Sequence, residues 1–480
     1  MEYRVSIGLE THVQLKTLSK LFCGCSTGFG SPANTHVCPV CLGYPGAMPV
    51  LNEEAVRLTV LTGLMLGSRI AGYSKFDRKS YFYPDMPKNY QISQYDKPLC
   101  EGGEVEIDSD GGKEIRITRI HLEEDVAKNT HFKNTSGVDF NRAGVPLMEI
   151  VSEPDIESPG EAFEYLQTLK RILLYIGVSN CNLEEGNIRC DVNCSVRLMD
   201  AAEMGTKTEI KNMNTFKGVL NALKYEVSRQ QEVLESGGIV TQETRRWDVE
   251  AGVTRTMRTK EDAHDYRYFP EPDLMPVTLS REKVEEWKGG LPELPKERRE
   301  RFISEYGLPD YDAGVLARDR LMADFFEESA RQCGNRKALS NWIMTEMLRM
   351  LGENDMLISD SPVTPSALAE LVELVDGRTL NSTKAKEVFA EIFENGGSPG
   401  DIVKERGLAQ VSDTDELEKL VNRAISENPG SVKDYLNGKK AASKFLAGQV
   451  MRLSRGKANP GMASGMIEKK LEERANDSGS

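Results

Sequence analysis

The chain has 480 residues, of which 39% are hydrophobic and 28% charged, a composition typical of soluble globular proteins. A chain of this length is too long to form one compact core, so we expect two to four domains. The formal net charge of −14 argues against nonspecific nucleic-acid binding over the whole surface, but it permits a local basic patch.

Membrane insertion and secretion find no support in the sequence. No apolar run of about 18 residues is present, and the first residues resemble a strand rather than a signal peptide. These features predict a cytoplasmic protein that does not act at a membrane. The nine cysteines therefore argue against a disulfide framework and favour metal binding where they cluster.

Residues 7–15 alternate strictly between apolar and polar side chains, which predicts a half-buried β-strand. Glu10 and His12 lie two residues apart on its polar face. Such a pair can bind a divalent cation or transfer a proton. The alternative is a strand whose polar face is only solvated.

Four cysteines follow this strand in two close pairs, separated by a loop rich in Gly, Pro and Asn: Cys23, Cys25, Cys38 and Cys41. The spacing predicts a structural Zn²⁺ site, because four thiolates complete a tetrahedral shell and leave no open position. Reduced thiols in a loop are the alternative.

Residues 75–93 interleave aromatic and basic side chains without a helical or strand period. This pattern predicts an ordered functional loop, which includes Lys79 and Lys88. Aromatic and basic side chains together also suit an RNA 3′ end. A loop that is packed for purely structural reasons is the alternative.

Two later segments, residues 189–197 and 205–211, repeat the alternation and carry Asp191 and Glu209 on their polar faces. With Glu10 and His12, and with Glu123 or Glu124 nearby, they predict a sheet face that binds Mg²⁺ and through it a triphosphate. Arg189 or Lys207 would assist phosphoryl transfer. The sequence contains neither a P-loop nor a GxGxxG motif after a strand.

The remainder is mainly helical after a Gly/Pro hinge at residues 289–296, and a second break occurs at residues 396–400. These changes predict an α+β protein with three domains, residues 1–292, 293–400 and 401–480. Basic side chains of the last domain outnumber a single nearby acid and predict contacts with a phosphate backbone, the alternative being a solvated helix face. The candidate tRNA-binding residues are Lys439, Lys440, Lys444, Arg452 and Arg455.

Long motifs in the first 290 residues resemble those of the B subunits of the tRNA-dependent amidotransferase. They occur in the family's order and are IGLETHVQL, KFDRKSYFYPDMPKNYQISQ, RIHLEEDVAK, MEIVSEPDI, LEEGNIRCDVN, GTKTEIKNMN and DYRYFPEPD. The resemblance implies a cradle-like catalytic domain similar in fold to glutamine synthetase, followed by a helical domain and a tRNA-binding tail.

The resemblance also implies a reaction and its participants. Members of the family use ATP to phosphorylate the side-chain carboxylate of misacylated Glu-tRNA(Gln) or Asp-tRNA(Asn), and ammonia then displaces the phosphate. The ammonia comes through a channel from a glutaminase A subunit, and the two are connected by a small C subunit.

By motif position the Mg²⁺ site would be formed by Glu10, His12, Glu124, Asp191 and Glu209, with Glu149 as a further candidate. Lys79 and Lys88 would lie near the channel mouth, and Arg189 and Lys207 would contact the nucleotide. The four cysteines resemble a zinc site found in some members of the family.

Two other functions remain open from the sequence. One is a noncatalytic RNA-binding protein that uses the zinc site and the basic tail, and the other is a stand-alone metal-dependent ligase acting on a small molecule. The sequence does not distinguish Glu-tRNA(Gln) from Asp-tRNA(Asn), nor does it give the number of Mg²⁺ ions.

Overall fold

The computed structural model describes residues 2–259, 266–354, 356–408, 414–454, 458 and 460–477. The chain divides into two compact units, Met1–Leu294 and Pro295–Ser480. No helix in these described residues is long and apolar enough to cross a membrane.

The first unit contains seventeen strands and four helices among its described residues. The strands are β1 (Tyr3–Gln14), β2 (Arg69–Ile70), β3 (Tyr73–Ser74), β4 (Asp77–Ser80), β5 (Tyr90–Ser93), β6 (Cys100–Glu101), β7 (Glu104–Ile107), β8 (Lys113–Glu124), β9 (Lys128–His131), β10 (Ser136–Asp139), β11 (Pro146–Ser152), β12 (Ile188–Leu198), β13 (Thr208–Lys211), β14 (Glu243–Asp248), β15 (Val253–Thr259), β16 (Phe269–Pro270) and β17 (Val277–Thr278). The helices are α1 (Glu53–Met65), α2 (Pro159–Tyr175), α3 (Phe216–Glu235) and α4 (Arg281–Lys288).

Thirteen of the described strands form one sheet, whose main path runs β15-β14-β13-β12-β1-β11-β8-β5-β4-β16. The three strands predicted from alternation, β1, β12 and β13, are confirmed and are adjacent in this order. β1 pairs antiparallel with β12 and β11, and β11 pairs antiparallel with β8. The candidate residues of four separate chain segments therefore come together on neighbouring strands.

One face of this sheet is apolar and is covered by helices. Leu9 of β1, Ile150 of β11 and Val192 of β12 are buried in the same core as Leu169 of α2 and Leu223 of α3. Burying such side chains gives each about 1.5–3 kcal/mol. The other face, which we call the polar face, carries the alternate side chains.

The register of β8 changes near its middle. Val151 lies opposite Arg119 but Ser152 lies opposite Ile117, so Thr118 is an extra residue in β8. An extra residue of this kind is a β-bulge, and it reverses which side chains face each side of the sheet. Ile115 and Ile117 face the core before the bulge, and Ile120 and Leu122 face it afterwards.

The described part of the second unit is helical. Its helices are α5 (Pro295–Tyr306), α6 (Asp310–Leu316), α7 (Arg320–Ala330), α8 (Arg336–Trp342), α9 (Leu348–Glu353), α10 (Pro365–Asp376), α11 (Ser382–Asn395), α12 (Pro399–Glu405), α13 (Thr414–Glu427), α14 (Pro429–Leu436), α15 (Ala441–Leu453) and α16 (Pro460–Asp477). A π-helical turn, Ile343–Met347, joins α8 to α9.

Two separate apolar cores stabilise this unit. One draws on residues 302–403 and the other on residues 417–471. A mixed α+β architecture is thus confirmed, whereas the likeness to glutamine synthetase and the division into three domains remain predictions.

Candidate functional site

The centre of the polar face is a row of charged side chains set by strand register. His12 of β1 lies opposite Glu149 of β11 and opposite Arg189 of β12. Glu149 in turn lies opposite His121 of β8. Antiparallel pairing brings directly opposite side chains within contact distance, so these four form a continuous band across four strands.

His12, Glu123 and Glu149 form a compact cluster that can hold a metal ion. His12 Nε2 lies 3.1 Å from Glu149 Oε2 and 3.8 Å from Glu123 Oε1. One imidazole and two carboxylates are ligands suited to a hard divalent cation such as Mg²⁺, which favours oxygen. We call these three residues the carboxylate–histidine cluster.

The negative charge of this cluster favours bound positive charge, a proton or a metal ion, and a metal ion would have to displace the protons. Burial opposes protonation of His12, but its hydrogen bond to Glu149 and the neighbouring negative charges raise the His12 pKa overall. Burial, followed by the charge of Glu149, raises the pKa of Glu123. A divalent cation would favour the ionised form of Glu123, because it offsets the repulsion between the two carboxylates.

The structure places Glu123, not the predicted Glu124, in this cluster. Glu124 faces the other side of β8, where it accepts a hydrogen bond from Lys88 Nζ and one of 2.9 Å from the Ile92 amide. Lys88 and Glu124 are both almost completely buried. Glu123 and Glu124 lie on different sides of the strand, because adjacent strand residues face opposite sides, and the assignment of Glu124 to the Mg²⁺ site remains a prediction.

The remaining predicted acids lie on the same polar face, towards β13. Asn193 Nδ2 donates a 3.0 Å hydrogen bond to Glu10 Oε1. Lys211 Nζ lies 2.5 Å from Asp191 Oδ2 and 2.9 Å from Glu209 Oε1. Glu10 lies opposite Asp191 on the neighbouring strand, so this acidic group extends along the sheet beside the carboxylate–histidine cluster.

The two predicted nucleotide-binding cations differ in their surroundings. Lys207 lines an open depression together with Gly8 and Glu10. Arg189 donates a 2.8 Å hydrogen bond from its terminal nitrogen to Asp125 Oδ1. Asp125 is buried and also accepts a 2.7 Å hydrogen bond from Gln14, so it fixes the orientation of Arg189.

The two predicted channel lysines lie on different sides of the sheet. Lys79 Nζ is 5.0 Å from the centre of the Tyr266 ring. Burial opposes its charge, yet Glu123 and other neighbours raise the pKa of Lys79 overall. Lys79 therefore belongs to the environment of the carboxylate–histidine cluster, whereas Lys88 pairs with Glu124 on the opposite side.

The four predicted zinc ligands come together. The sulfur atoms of Cys23, Cys25, Cys38 and Cys41 all lie within 4.8 Å of one another, as a tetrahedral thiolate site requires. Lys20 is completely buried beside them, with Nζ 3.6 Å from Cys41 Sγ and 3.1 Å from the Phe140 carbonyl oxygen. These residues fit a structural Zn²⁺ ion. Lys20 would partly neutralise the negative charge of the four thiolates that bind it.

Replacing Cys41 by serine is expected to abolish stoichiometric zinc binding and lower thermal stability. Zinc present at a thousandfold above its Kd stabilises a folded protein by about 4 kcal/mol, and this contribution would be lost. Elemental analysis and thermal melting measure both effects. Cys333→Ala is the control, because Cys333 lies in the second unit. Unchanged zinc content in Cys41→Ser would contradict the assignment.

The predicted tRNA-binding side chains lie on α15 and just before it. Lys439, Lys440, Lys444 and Arg452 are exposed, and Lys439 Nζ lies 3.1 Å from Asp434 Oδ1. Arg455 lies outside the described residues. The exposed cations are therefore available to a polyanion, but their role remains a prediction.

Sequence reasoning named Glu123 only as an alternative to Glu124, and it gave no role in the site to His121, Lys211 or Asp125. A local signal existed for Glu123 and His121. Ile120 and Leu122 are apolar, so alternation over residues 120–123 already predicts that His121 and Glu123 share the polar face. Alternation places Lys211 on the same face as Glu209, whereas its contact with Asp191 and the position of Asp125 follow from contacts between strands and have no local signal.

Two family models match the chain and define its class. The model described as GatB/GatE catalytic domain covers residues 5–285, and the model described as GatB domain covers residues 324–471. The polar face with its carboxylate–histidine cluster thus lies within a recognised catalytic domain.

Curated relatives give the same result over the full length. The chain is 53% identical over 476 residues to the B subunit of the aspartyl/glutamyl-tRNA(Asn/Gln) amidotransferase of Thermoanaerobacter sp. (strain X514), covering 98% of this chain and 100% of the relative. It is 51% identical over 474 residues to the protein of the same name from Chlorobium phaeobacteroides (strain BS1), with the same coverage. The chain belongs to the family of amidotransferase B subunits.

Proposed function

We propose that this chain activates and amidates the side-chain carboxylate of misacylated Glu-tRNA(Gln), Asp-tRNA(Asn) or both. The observation that carries the proposal is the carboxylate–histidine cluster, which lies on a polar sheet face inside the matched catalytic domain. The names of the relatives supply the substrate class.

The reaction needs two chemical steps. A carboxylate is a poor electrophile, so transfer of the terminal phosphoryl group of ATP to a carboxylate oxygen provides a leaving group. Ammonia then attacks the carbonyl carbon, the bond to the phosphate oxygen breaks, and the amide and inorganic phosphate are released.

The residues present fit Mg²⁺ and ATP. His12, Glu123 and Glu149 would hold Mg²⁺, which would neutralise charge on the transferred phosphoryl group. Glu10, Asp191 and Glu209 lie along the same face and offer further oxygen ligands, with Lys211 between two of them. Arg189 and Lys207 would contact the nucleotide phosphates.

The proposed reaction also needs partner subunits. A glutaminase A subunit would supply ammonia and a small C subunit would connect the two, which makes the enzyme a heterotrimer. Lys79 would lie near the mouth of the ammonia channel on the polar face, where Glu123 is among the neighbours that raise its pKa. Lys88 would also lie near the channel, but on the other side of the sheet. The polar face would form a cradle similar to that of glutamine synthetase, and the basic tail would bind tRNA.

Phosphate release from ATP is the reaction that tests this function. In the assembled amidotransferase we expect release that depends on misacylated tRNA, because the phosphoryl acceptor is the aminoacyl side chain. Uncharged tRNA and correctly charged Gln-tRNA(Gln) are the controls, since neither offers a free side-chain carboxylate. Equal release with charged and uncharged tRNA would refute the proposal, and tRNA binding without any release would favour a noncatalytic RNA-binding protein.

A further inference from the structure

An unpaired guanidinium group stands on the polar face. Arg119 precedes His121 by two residues and Glu123 by four, beyond the bulge at Thr118, so its side chain shares their face. The Nε atom of Arg119 is buried and has no hydrogen-bond partner. No ion pair joins Arg119 to a carboxylate in the described part of the chain.

Two other arginines of the sheet have a carboxylate partner, although the Nε atom of one of them, Arg189, is likewise unpaired. Arg78 pairs with Glu271 and Arg189 with Asp125, each through hydrogen bonds of 2.8 Å or less. A buried donor without an acceptor costs free energy. Arg119 therefore presents at least one N–H group for which the described protein offers no acceptor.

The position of Arg119 distinguishes it from other arginines with an unpaired Nε. Arg197 also has one, but Arg197 lies opposite Arg4 near the end of β12, well along the strand from the carboxylate–histidine cluster. Arg119 lies nearer to that cluster, because it is two residues from His121 on β8 and pairs with Val151, two residues from Glu149 on β11.

Arg119 and Arg189 flank the carboxylate–histidine cluster. Arg119 is on β8 and Arg189 on β12, and the two strands between them carry Glu149 and His12. Three strand spacings separate the two backbones by about 14 Å. Arg119 is offset by two residues along β8 from the row of Arg189, His12, Glu149 and His121, so the two arginines lie on the same sheet face on either side of His12 and Glu149.

We propose that Arg119 binds a phosphoryl group above the carboxylate–histidine cluster, opposite Arg189. The inference rests on the proposed function, which brings such a group to this face. The planar guanidinium fork matches phosphate oxygens and donates to two of them at once. The group is either the terminal phosphate of ATP or the phosphate that leaves the activated substrate.

Arg119→Lys and Arg119→Gln test this role in the assembled amidotransferase with misacylated tRNA. Lysine keeps the charge but loses the fork, so we expect both variants to lower amidation, Arg119→Gln by about 100-fold. Arg116→Gln is the matched control. Arg116 lies on the same strand, is exposed, and pairs with Asp155 at 2.7 Å, so its loss should change amidation by less than about twofold.

Two measurements identify the source of the phosphate. A raised KM for ATP with little change in kcat assigns Arg119 to the nucleotide. A lowered kcat with weaker inhibition by added inorganic phosphate assigns it to the phosphate that leaves the substrate. Either result supports the inference. Lowered amidation with neither ATP KM nor phosphate inhibition changed would overturn it, because that pattern indicates a structural role.

Failure of the inference and failure of the proposed function give different results. Arg119 variants that match Arg116→Gln overturn the inference, and tRNA-dependent phosphate release in the unmodified enzyme would still support the function. Absence of that release in the unmodified enzyme refutes the function itself. Arg119→Lys decides the test if Arg119→Gln fails to fold.

Discussion

Replacing Glu123 by alanine is expected to lower amidation by about 1000-fold in the assembled enzyme. The proposed Mg²⁺ loses one of its two carboxylate ligands in the carboxylate–histidine cluster, and a metal ion contributes several kcal/mol to stabilising charge in a transition state. A loss of about 4 kcal/mol corresponds to about three orders of magnitude in rate.

The measurement is the rate of tRNA-dependent phosphate release as Mg²⁺ is varied. We expect Glu123→Ala to need far more Mg²⁺ than the unmodified enzyme. Glu114→Ala is the matched control, because Glu114 is an exposed glutamate on the same strand. A fully active Glu123→Ala enzyme alongside an inactive, folded Glu124→Ala enzyme would restore the original sequence-based choice of Glu124.

The second large effect concerns stability. Lys88→Met leaves the buried Glu124 carboxylate without its cation, and removing one partner of a buried ion pair costs about 3–5 kcal/mol. Lys88 also supports the zinc-binding loop, because a Cβ atom at Gly43 would lie 2.5 Å from Lys88 Cγ. We expect a fall in the melting temperature of about 10 °C.

Thermal melting of three variants tests this expectation. The double variant Lys88→Met/Glu124→Gln should recover part of the loss, because it removes the uncompensated charge. Lys16→Met is the control for a lysine that is exposed on the surface. A double variant no more stable than Lys88→Met would show that packing, rather than the charge pair, dominates at this position.

Local alternation predicted much of the polar face. It placed Glu10 and His12 on one side of β1, and Asp191 and Glu209 on the corresponding sides of β12 and β13, which the structure confirms. Alternation works here because each strand has one apolar core face and one polar face. It does not reveal which strands are neighbours, so the contact of His12 with Glu149 depended on the pairing of β1 with β11.

Motif position, rather than alternation, assigns Glu124 to the Mg²⁺ site, and alternation carried along the whole of β8 does not correct that choice. Ile115 and Ile117 face the core, and alternation continued from them along β8 places Glu124 on the polar face. The bulge at Thr118 reverses this relation. Likewise, the sequence could not show that Asp125 orients Arg189, since residues 64 positions apart meet only through the sheet.

The bulge also divides β8 into two stretches whose partner strands differ. Residues 113–116 pair with β7 as a hairpin, whereas residues 119–124 carry Arg119, His121 and Glu123 to the polar face and Glu124 to the other. Odd-numbered residues therefore face the core before Thr118, and even-numbered residues face it afterwards. If Thr118 were instead paired as a regular strand residue, Arg119, His121 and Glu123 would turn towards the apolar core and the two adjacent glutamates would exchange surroundings, whereas deleting Thr118 would leave both stretches facing as they do.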